Sequence, residues 1–439
     1  MTTKPERGDR KHLHPAADQR NHFQRDRDRI LYSDGFRRLQ GVTQVVSPDE
    51  GYVFHNRLTH SMKVAQLSRR IAERLLTDNS VDAINQVGGV DPEVAEAAAL
   101  AHDLGHPPFG HVAEEMLARL VREHNVDDQY EGNAQTFRIL TKLESRWEGT
   151  PGMNLTRATL NAVIKYPWYR QVAGKKSKKY GAYQTTEAED FDFARELEVP
   201  GSTVKSCEAE IMDWSDDIAF SVHDTEDFYR AGLIPLDRLS QDQEIRLRFL
   251  ERVERRWRSQ GRAMEDWSDY KSAFERIMGW TGSGFNEPYN DSRDHQAHLR
   301  AFASVLIHSY VSAIKLNPSS SPSAPRVIID RGLKCEVTIL KELTWEYVIL
   351  RPALATQQHG YEMVIRRLFD YFYEALSAGE ARNLPARFRH TAEECGKMDE
   401  AMAARSAADV VSGLTDGEAL QLFRTLSGIE PRSIFNGLR

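Results

Sequence analysis

Between Leu100 and His111 the chain reads Leu-Ala-His-Asp-Leu-Gly-His-Pro-Pro-Phe-Gly-His, and this stretch allows few backbones. An apolar run reaches His102-Asp103, Gly105 stops it, and Pro107-Pro108 carry the chain to a new helix start at His111. An imidazole and a carboxylate at the end of a buried helix can grip a divalent cation, but two neighbours cannot enclose one. The remaining ligands must come from other elements packed around this turn.

Two stretches qualify. Upstream, Asn56-Arg-Leu-Thr-His-Ser61 places His60 at the start of a helix-period run in which Val64, Leu67, Ile71 and Leu75 share its face. Downstream, Met212-Asp-Trp-Ser-Asp-Asp-Ile-Ala-Phe220 sets carboxylates into another such run, with Ile211, Trp214, Ile218 and Val222 as its apolar stripe. His60, His102, Asp103 and one of Asp216 or Asp217 make a set of two nitrogens and two oxygens. Such a set suits Mg2+ or Mn2+, and also Zn2+, Ni2+, Co2+ or Fe2+, with positions open for water and a substrate oxygen.

The periodicity predicts helices over 60–77, 92–103, 111–124, 133–145, 156–165 and 204–223, with Asp91-Pro92 as cap and first-turn proline of the second. Residues 236–316 read as charged helices, and 341–350, 357–377 and 390–426 as the last ones. Short strands are expected at Arg326–Ile329 and Glu336–Ile339, and a small hairpin over Val42–Phe54. The sum is a mainly α fold. Residues 1–25 read as a flexible arm, 26–235 as the core that carries the site, and 236–439 as a helical elaboration packed on it, with 317–325 as a loop.

Composition narrows the function. Hydrophobic residues at 40% support a large core, and charged residues at 28% with a net charge of −7 exclude a simple basic nucleic-acid binder. Cys207, Cys335 and Cys395 lie far apart with no CxxC pair, so thiolate ligands are not expected. No apolar run of about 18 residues is present and the N-terminus lacks a signal-like core, so the expectation is a cytoplasmic protein without a membrane span.

Imidazole and carboxylate ligands on a divalent cation serve phosphoester and phosphoanhydride hydrolysis. His111 begins a helix and Glu114 follows at i+3, so the carboxylate can hold the imidazole in one tautomer for acid–base or nucleophilic work. Asp216, Phe220 and Asp224 are spaced i, i+4, i+8, a stripe along which a nucleotide could lie. A triphosphate also needs cations. Arg57, three residues before His60, and Lys165, at a helix end, are the leading candidates, with Lys178 and Lys179 behind them. The basic stretch Gly174–Gly181 reads equally as a solvated excursion or a phosphate-facing lid.

Together, Phe36–Val45, Arg57–Ser61, His102–His111, Glu131-Gly-Asn-Ala-Gln135 and Asp213–Asp224 resemble the deoxyguanosine triphosphate triphosphohydrolase family of the HD-domain superfamily, with the likeness continuing through Leu340–Thr344 to Ser412-Gly-Leu-Thr-Asp416. The resemblance implies a helical HD fold that hydrolyses a deoxynucleoside triphosphate, dGTP foremost, to deoxynucleoside and triphosphate. It implies His60, His102, Asp103 and Asp216 as metal ligands, Asp217 being the fallback, His111 as the catalytic histidine and Glu114 as its partner. His106 and Arg57 are implied phosphate contacts, Leu39 and Gln40 the wall near the sugar, and Asp224 the reader of the 3′-hydroxyl. It further implies a homo-oligomer, often a hexamer, and nucleotide or single-stranded DNA effectors.

The chain departs from that pattern at three places. Phe220 stands where a tyrosine beneath the sugar is usual, Ala113 replaces a glycine, and Gly417-Glu418 follow Asp416 where arginine and tyrosine are expected. Two rivals fit the same residues: an HD phosphohydrolase for a nucleoside monophosphate or a guanosine tetraphosphate, and a nucleotide-sensing or DNA-binding oligomer with a weak site.

Overall fold

The computed structural model describes residues 5–12, 19–45, 55–171, 177–264, 266–319, 321, 323–389 and 398–429. The chain runs through α1 (His22–Leu31), α2 (Asp34–Arg38), α3 (Arg57–Asp78), α4 (Val81–Gln86), α5 (Pro92–Ala101), α6 (His111–Glu123), α7 (Gly132–Arg138), α8 (Arg157–Val163), α9 (Gln184–Arg195) and α10 (Cys207–Arg230). Then come α11 (Leu236–Gln241), α12 (Gln243–Ser259), α13 (Trp267–Thr281), α14 (Arg293–Ser312), α15 (Arg331–Thr344), α16 (Pro352–Ala378), α17 (Glu400–Ser412) and α18 (Asp416–Leu426). Strands β1 (Ile314–Leu316) and β2 (Val327–Ile329) pair antiparallel, Lys315 opposite Ile328. The fold is mainly helical, with this ribbon as the one sheet among the described residues.

Local chemistry sets the helix starts that matter for the site. Asn56 caps α3 by accepting from the Thr59 N–H, Asp91 caps α5 ahead of Pro92, and Ser206 caps α10 by accepting from the Ala209 N–H. Helix α5 is apolar on nearly every side, with Val94, Ala95, Ala97, Ala98, Ala99 and Ala101 all buried. A helix apolar all round belongs in the middle of a fold, and its small alanines let neighbours come close. Accordingly α1, α3, α8 and α10 surround it.

Among the described residues two large apolar clusters result, beside a small one of Ala134, Tyr180 and Tyr183. The first joins α1, α3, α5, α8 and α10 to α12–α15 and extends to Val348. The second is built from Phe109 and the inner face of α6 (Ala113, Leu117, Leu120, Val121) packed on Ile365, Phe369 and Phe372 of α16, Ala404 and Val411 of α17, and Leu422 of α18.

Three expectations are corrected here. Glu336–Ile339 is not a strand: Asp330 caps α15 through the Leu333 N–H, and Cys335, Ile339 and Leu343 form its buried helical stripe, so β2 pairs instead with β1. The described part of the arm, 5–12, is docked, because Arg7 meets the buried Glu208 and Arg10 meets the buried Asp26 at 2.6 Å. Residues 390–426 hold two helices rather than one, α17 and α18, with 390–397 outside the described residues. Most of the expected hairpin, 46–54, also lies outside them, and Thr43 forms an isolated bridge with Asn56. No described helix is long and apolar enough to cross a membrane.

Candidate active site

The turn after α5 is tight. Leu104 N–H donates to the Ala101 carbonyl and His106 N–H to the Asp103 carbonyl. Gly105 is required there, since a Cβ would lie 2.2 Å from the Gly132 carbonyl oxygen and 2.3 Å from the Thr136 nitrogen. The turn aims His102 and Asp103 at α3 and α10, and both are buried.

His60, His102 and Asp103 bring ligand atoms within 4.8 Å of one another, a group that could hold a metal ion. Asp216 closes it: its Oδ1 lies 3.1 Å from His60 Nε2 and 3.7 Å from His102 Nε2. The donor set suits a cation. His102 Nδ1 sits 2.6 Å from the Ala99 carbonyl, which fixes the proton on Nδ1 and leaves Nε2 as a lone-pair donor. That Nε2 is buried and has no hydrogen-bond partner. An unsatisfied buried acceptor facing two carboxylates and a second imidazole is costly without a cation and well used with one. Asp217, the fallback ligand, turns away to Lys341.

Charges around the group keep its carboxylates ionised. Burial alone would push Asp103 up, but His102 in its protonated form and the Arg57 guanidinium, whose Nη1 is 2.8 Å from Asp103 Oδ2, hold it well below the usual carboxylate range. Burial likewise opposes ionisation of Asp216, and Lys165 outweighs it at 2.8 Å, helped by the hydrogen bond with His60. Lys165 also meets Asp213 Oδ1 at 2.8 Å. Burial, with Arg57 beside it, pushes His106 down to about 3, so that ring stays neutral, its Nδ1 3.1 Å from Asp103 Oδ1.

The second cluster of reactive groups lies on α6. His111 Nδ1 is 2.9 Å from Glu114 Oε2, with the imidazole 72% exposed and the carboxylate buried. Glu114 Oε1 accepts from Lys179 at 2.8 Å and from the Gly132 N–H at 3.2 Å. Burial is overcome by the His111 hydrogen bond and Lys179, which hold Glu114 well below the ordinary value. The His106 and His111 rings are 5.6 Å apart, so the two clusters adjoin.

Along α10, Phe220 is half-buried with the Lys341 ammonium 5.9 Å from its ring centre, and Asp224 is buried with Oδ2 unpartnered. Burial, Asp227 and Asp216 push Asp224 well above the usual carboxylate range. Leu39 is buried in the first apolar cluster and Gln40 is exposed. A separate cavity of about 520 Å³, lined by His55, Asn56, Lys63, Asp227 and Tyr289, opens beside the first turn of α3; His60, His102, Asp103 and Asp216 do not line it.

Sequence reasoning missed Asp213, which shares Lys165 with Asp216, and Glu131, which shares Lys179 with Glu114 at 3.1 Å. The i,i+3 spacing of Asp213 and Asp216 was the available signal. The Glu131–Lys179 pair joins residues with no local pattern between them. The part of the basic loop at 174–176 lies outside the described residues.

Residues 57–198 match the HD domain family and residues 327–425 the phosphohydrolase-associated domain. The chain is 35% identical over 432 residues to a deoxyguanosinetriphosphate triphosphohydrolase-like protein of Streptomyces coelicolor, an alignment covering 93% of each chain. It is 34% identical to a protein of the same description from Corynebacterium efficiens, over 95% of this chain and 93% of that one. A deoxyguanosinetriphosphate triphosphohydrolase-like protein 2 of Mesorhizobium japonicum is 30% identical over 95% of each chain.

Proposed function

The chain belongs to the deoxyguanosinetriphosphate triphosphohydrolase-like family of HD-domain proteins, and from that premise we propose that it hydrolyses a deoxynucleoside triphosphate, dGTP foremost, to the deoxynucleoside and inorganic triphosphate. The observation that carries this reading is the unpartnered His102 Nε2 facing Asp216, with the His111–Glu114 pair beside it.

His60, His102, Asp103 and Asp216 would hold a divalent cation, Mg2+ or Mn2+ foremost, which when bound offsets phosphate charge and polarises a phosphoryl oxygen. Lys165 and Lys179 add positive charge on either side, and Arg57 fixes Asp103. With its Nδ1–H donating to Glu114, His111 presents a basic Nε2 on its exposed side. That nitrogen takes a proton from the attacking water as the water oxygen bonds to the α-phosphorus. The bond from the α-phosphorus to the 5′-oxygen breaks, its electron pair stays on that oxygen, and His111 returns the proton there. Neutral His106 borders the phosphate side without adding charge. Asp224, whose surroundings favour the protonated form, stands where it could meet a sugar hydroxyl, and Phe220 offers an apolar plate beneath the ring.

A homo-oligomer belongs to the same proposal, and sedimentation velocity tests it. The activity is tested by incubating the full chain, metal by metal, with the four dNTPs and four NTPs and resolving both products. Intact triphosphate with deoxynucleoside is expected; orthophosphate or pyrophosphate would overturn the reading.

A further inference from the structure

One carboxylate given no role so far, Asp416, joins the C-terminal helices to both halves of the site. Asp416 opens α18, but its side chain does not serve that helix, whose cap is the Thr415 hydroxyl. Its Oδ1 accepts the Phe109 N–H at 2.9 Å, and its Oδ2 accepts the Thr43 N–H at 3.1 Å together with the Thr43 hydroxyl.

Each contact reaches a different half. Phe109 has φ +64° and Gly110 φ +65°, immediately before His111. The left-handed region costs a non-glycine residue on the order of 1 kcal/mol, and surrounding structure must hold it there. Phe109 is held by Asp416 through its N–H and by Tyr361 of α16, stacked on its ring at 4.1 Å. The Gly110 carbonyl then accepts the Glu114 N–H at 3.1 Å, so this turn sets the first turn of α6, where His111 and Glu114 meet. On the other side, the Thr43 carbonyl accepts from Arg57 Nε at 3.1 Å, and Arg57 Nη1 holds Asp103 at 2.8 Å. The two arms come close together: a Cβ on Gly110 would lie 3.4 Å from Arg57 Nη2.

We propose that Asp416 is a positioning residue for the hydrolysis: by holding Phe109 and Thr43 together, it lets the C-terminal helices set where His111 stands relative to the His102–Asp103 pair. The inference rests on the reading of His111 given above, and it adds a residue from the associated domain to the working parts of the site.

The test uses the full chain with Mn2+ and dGTP, comparing Asp416→Ala, Phe109→Gly and the double variant. Misplacing a reacting group by about 1 Å costs about 100-fold in rate, so Asp416→Ala is expected to lower kcat by about that factor with KM changed by less than about 3-fold. Glycine takes a positive φ without penalty, so in the Phe109→Gly background the same substitution is expected to cost less than about 5-fold. Amide hydrogen exchange over 105–115 is expected to quicken in Asp416→Ala while α3 and α10 keep their protection. Equal losses in the two backgrounds, or full activity in folded Asp416→Ala, overturn the proposal. If Asp416→Ala does not fold, Thr43→Val removes only the hydroxyl arm, and unchanged kcat in that variant overturns it. Should the parent hydrolyse no dNTP, the functional reading fails by itself, and unchanged exchange over 105–115 in Asp416→Ala then separately overturns the role of Asp416.

Discussion

His102 Nε2 faces Asp216 Oδ1 across 3.7 Å, and no group on the protein hydrogen-bonds to that nitrogen. The neighbouring carboxylate, Asp217, is engaged with Lys341 on another side of α10. The two adjacent aspartates therefore make opposite predictions. Asp216→Ala is expected to weaken Mn2+ binding by at least about 10-fold, while Asp217→Ala leaves it within about 2-fold. Isothermal titration with the metal alone checks both, and equal losses would remove Asp216 from the ligand set.

His111→Ala is expected to lower kcat by about 10²- to 10⁴-fold, the usual range for losing a positioned acid–base group. Binding of dGTP, measured by titration in Ca2+ to suppress turnover, should stay within about 3-fold. Glu114→Gln keeps the shape of the pair and weakens the base, so its kcat should fall between those of the parent and His111→Ala. A His111→Ala variant that turns over at the parental rate would assign the proton transfer elsewhere.

Lys165 neutralises Asp216 and Asp213 together, each 2.8 Å away. Lys165→Met leaves two partly enclosed carboxylates without their cation and should destabilise the metal-free chain by on the order of 3 kcal/mol. Saturating Mn2+ supplies positive charge at the same place and should recover part of that loss. Urea denaturation with and without metal reads both effects. A loss that Mn2+ does not reduce would separate Lys165 from the ligand group.

Asp224 gives the pH prediction. Burial, Asp227 and Asp216 raise its native pKa above that of the unfolded chain. Between the ordinary carboxylate pKa near 3.9 and the raised native value, the native state binds the extra proton, so this group's contribution falls as pH rises through that window. Asp224→Asn removes the titration. Its melting temperature relative to the parent should therefore increase between pH 5 and pH 8, while kcat/KM for dGTP falls if the 3′-hydroxyl is read there. A gap in melting temperature that does not change with pH would show that Asp224 titrates normally.

Much of this was legible in the sequence because it is written locally. Asn56, Asp91-Pro92 and Ser206 announce the starts of α3, α5 and α10, and four-residue apolar spacing gives their buried faces. Even so, α10 runs further than the expected 204–223, to Arg230, because Phe228 and Tyr229 carry its buried face on into the first core. What stayed hidden depends on partners distant in the chain. The choice between Asp216 and Asp217 turns on Lys341, and the docking of 5–12 turns on Glu208 and Asp26. The burial of Leu39, where α2 and the turn after it pack against α3, is likewise a tertiary fact without a sequence signature.

The two large apolar clusters adjoin at the turn between His102 and His111, with the His60, His102 and Asp103 group set beside one and His111 carried by the other. On the proposed reading, holding the ion and doing the chemistry would fall to separate bodies of packed side chains. Mild heating or a lesion such as Phe372→Ala, deep in the second body, should yield a protein that still retains its metal but has gone silent. For this chain, a full complement of bound ion would therefore be a poor proxy for a working catalyst.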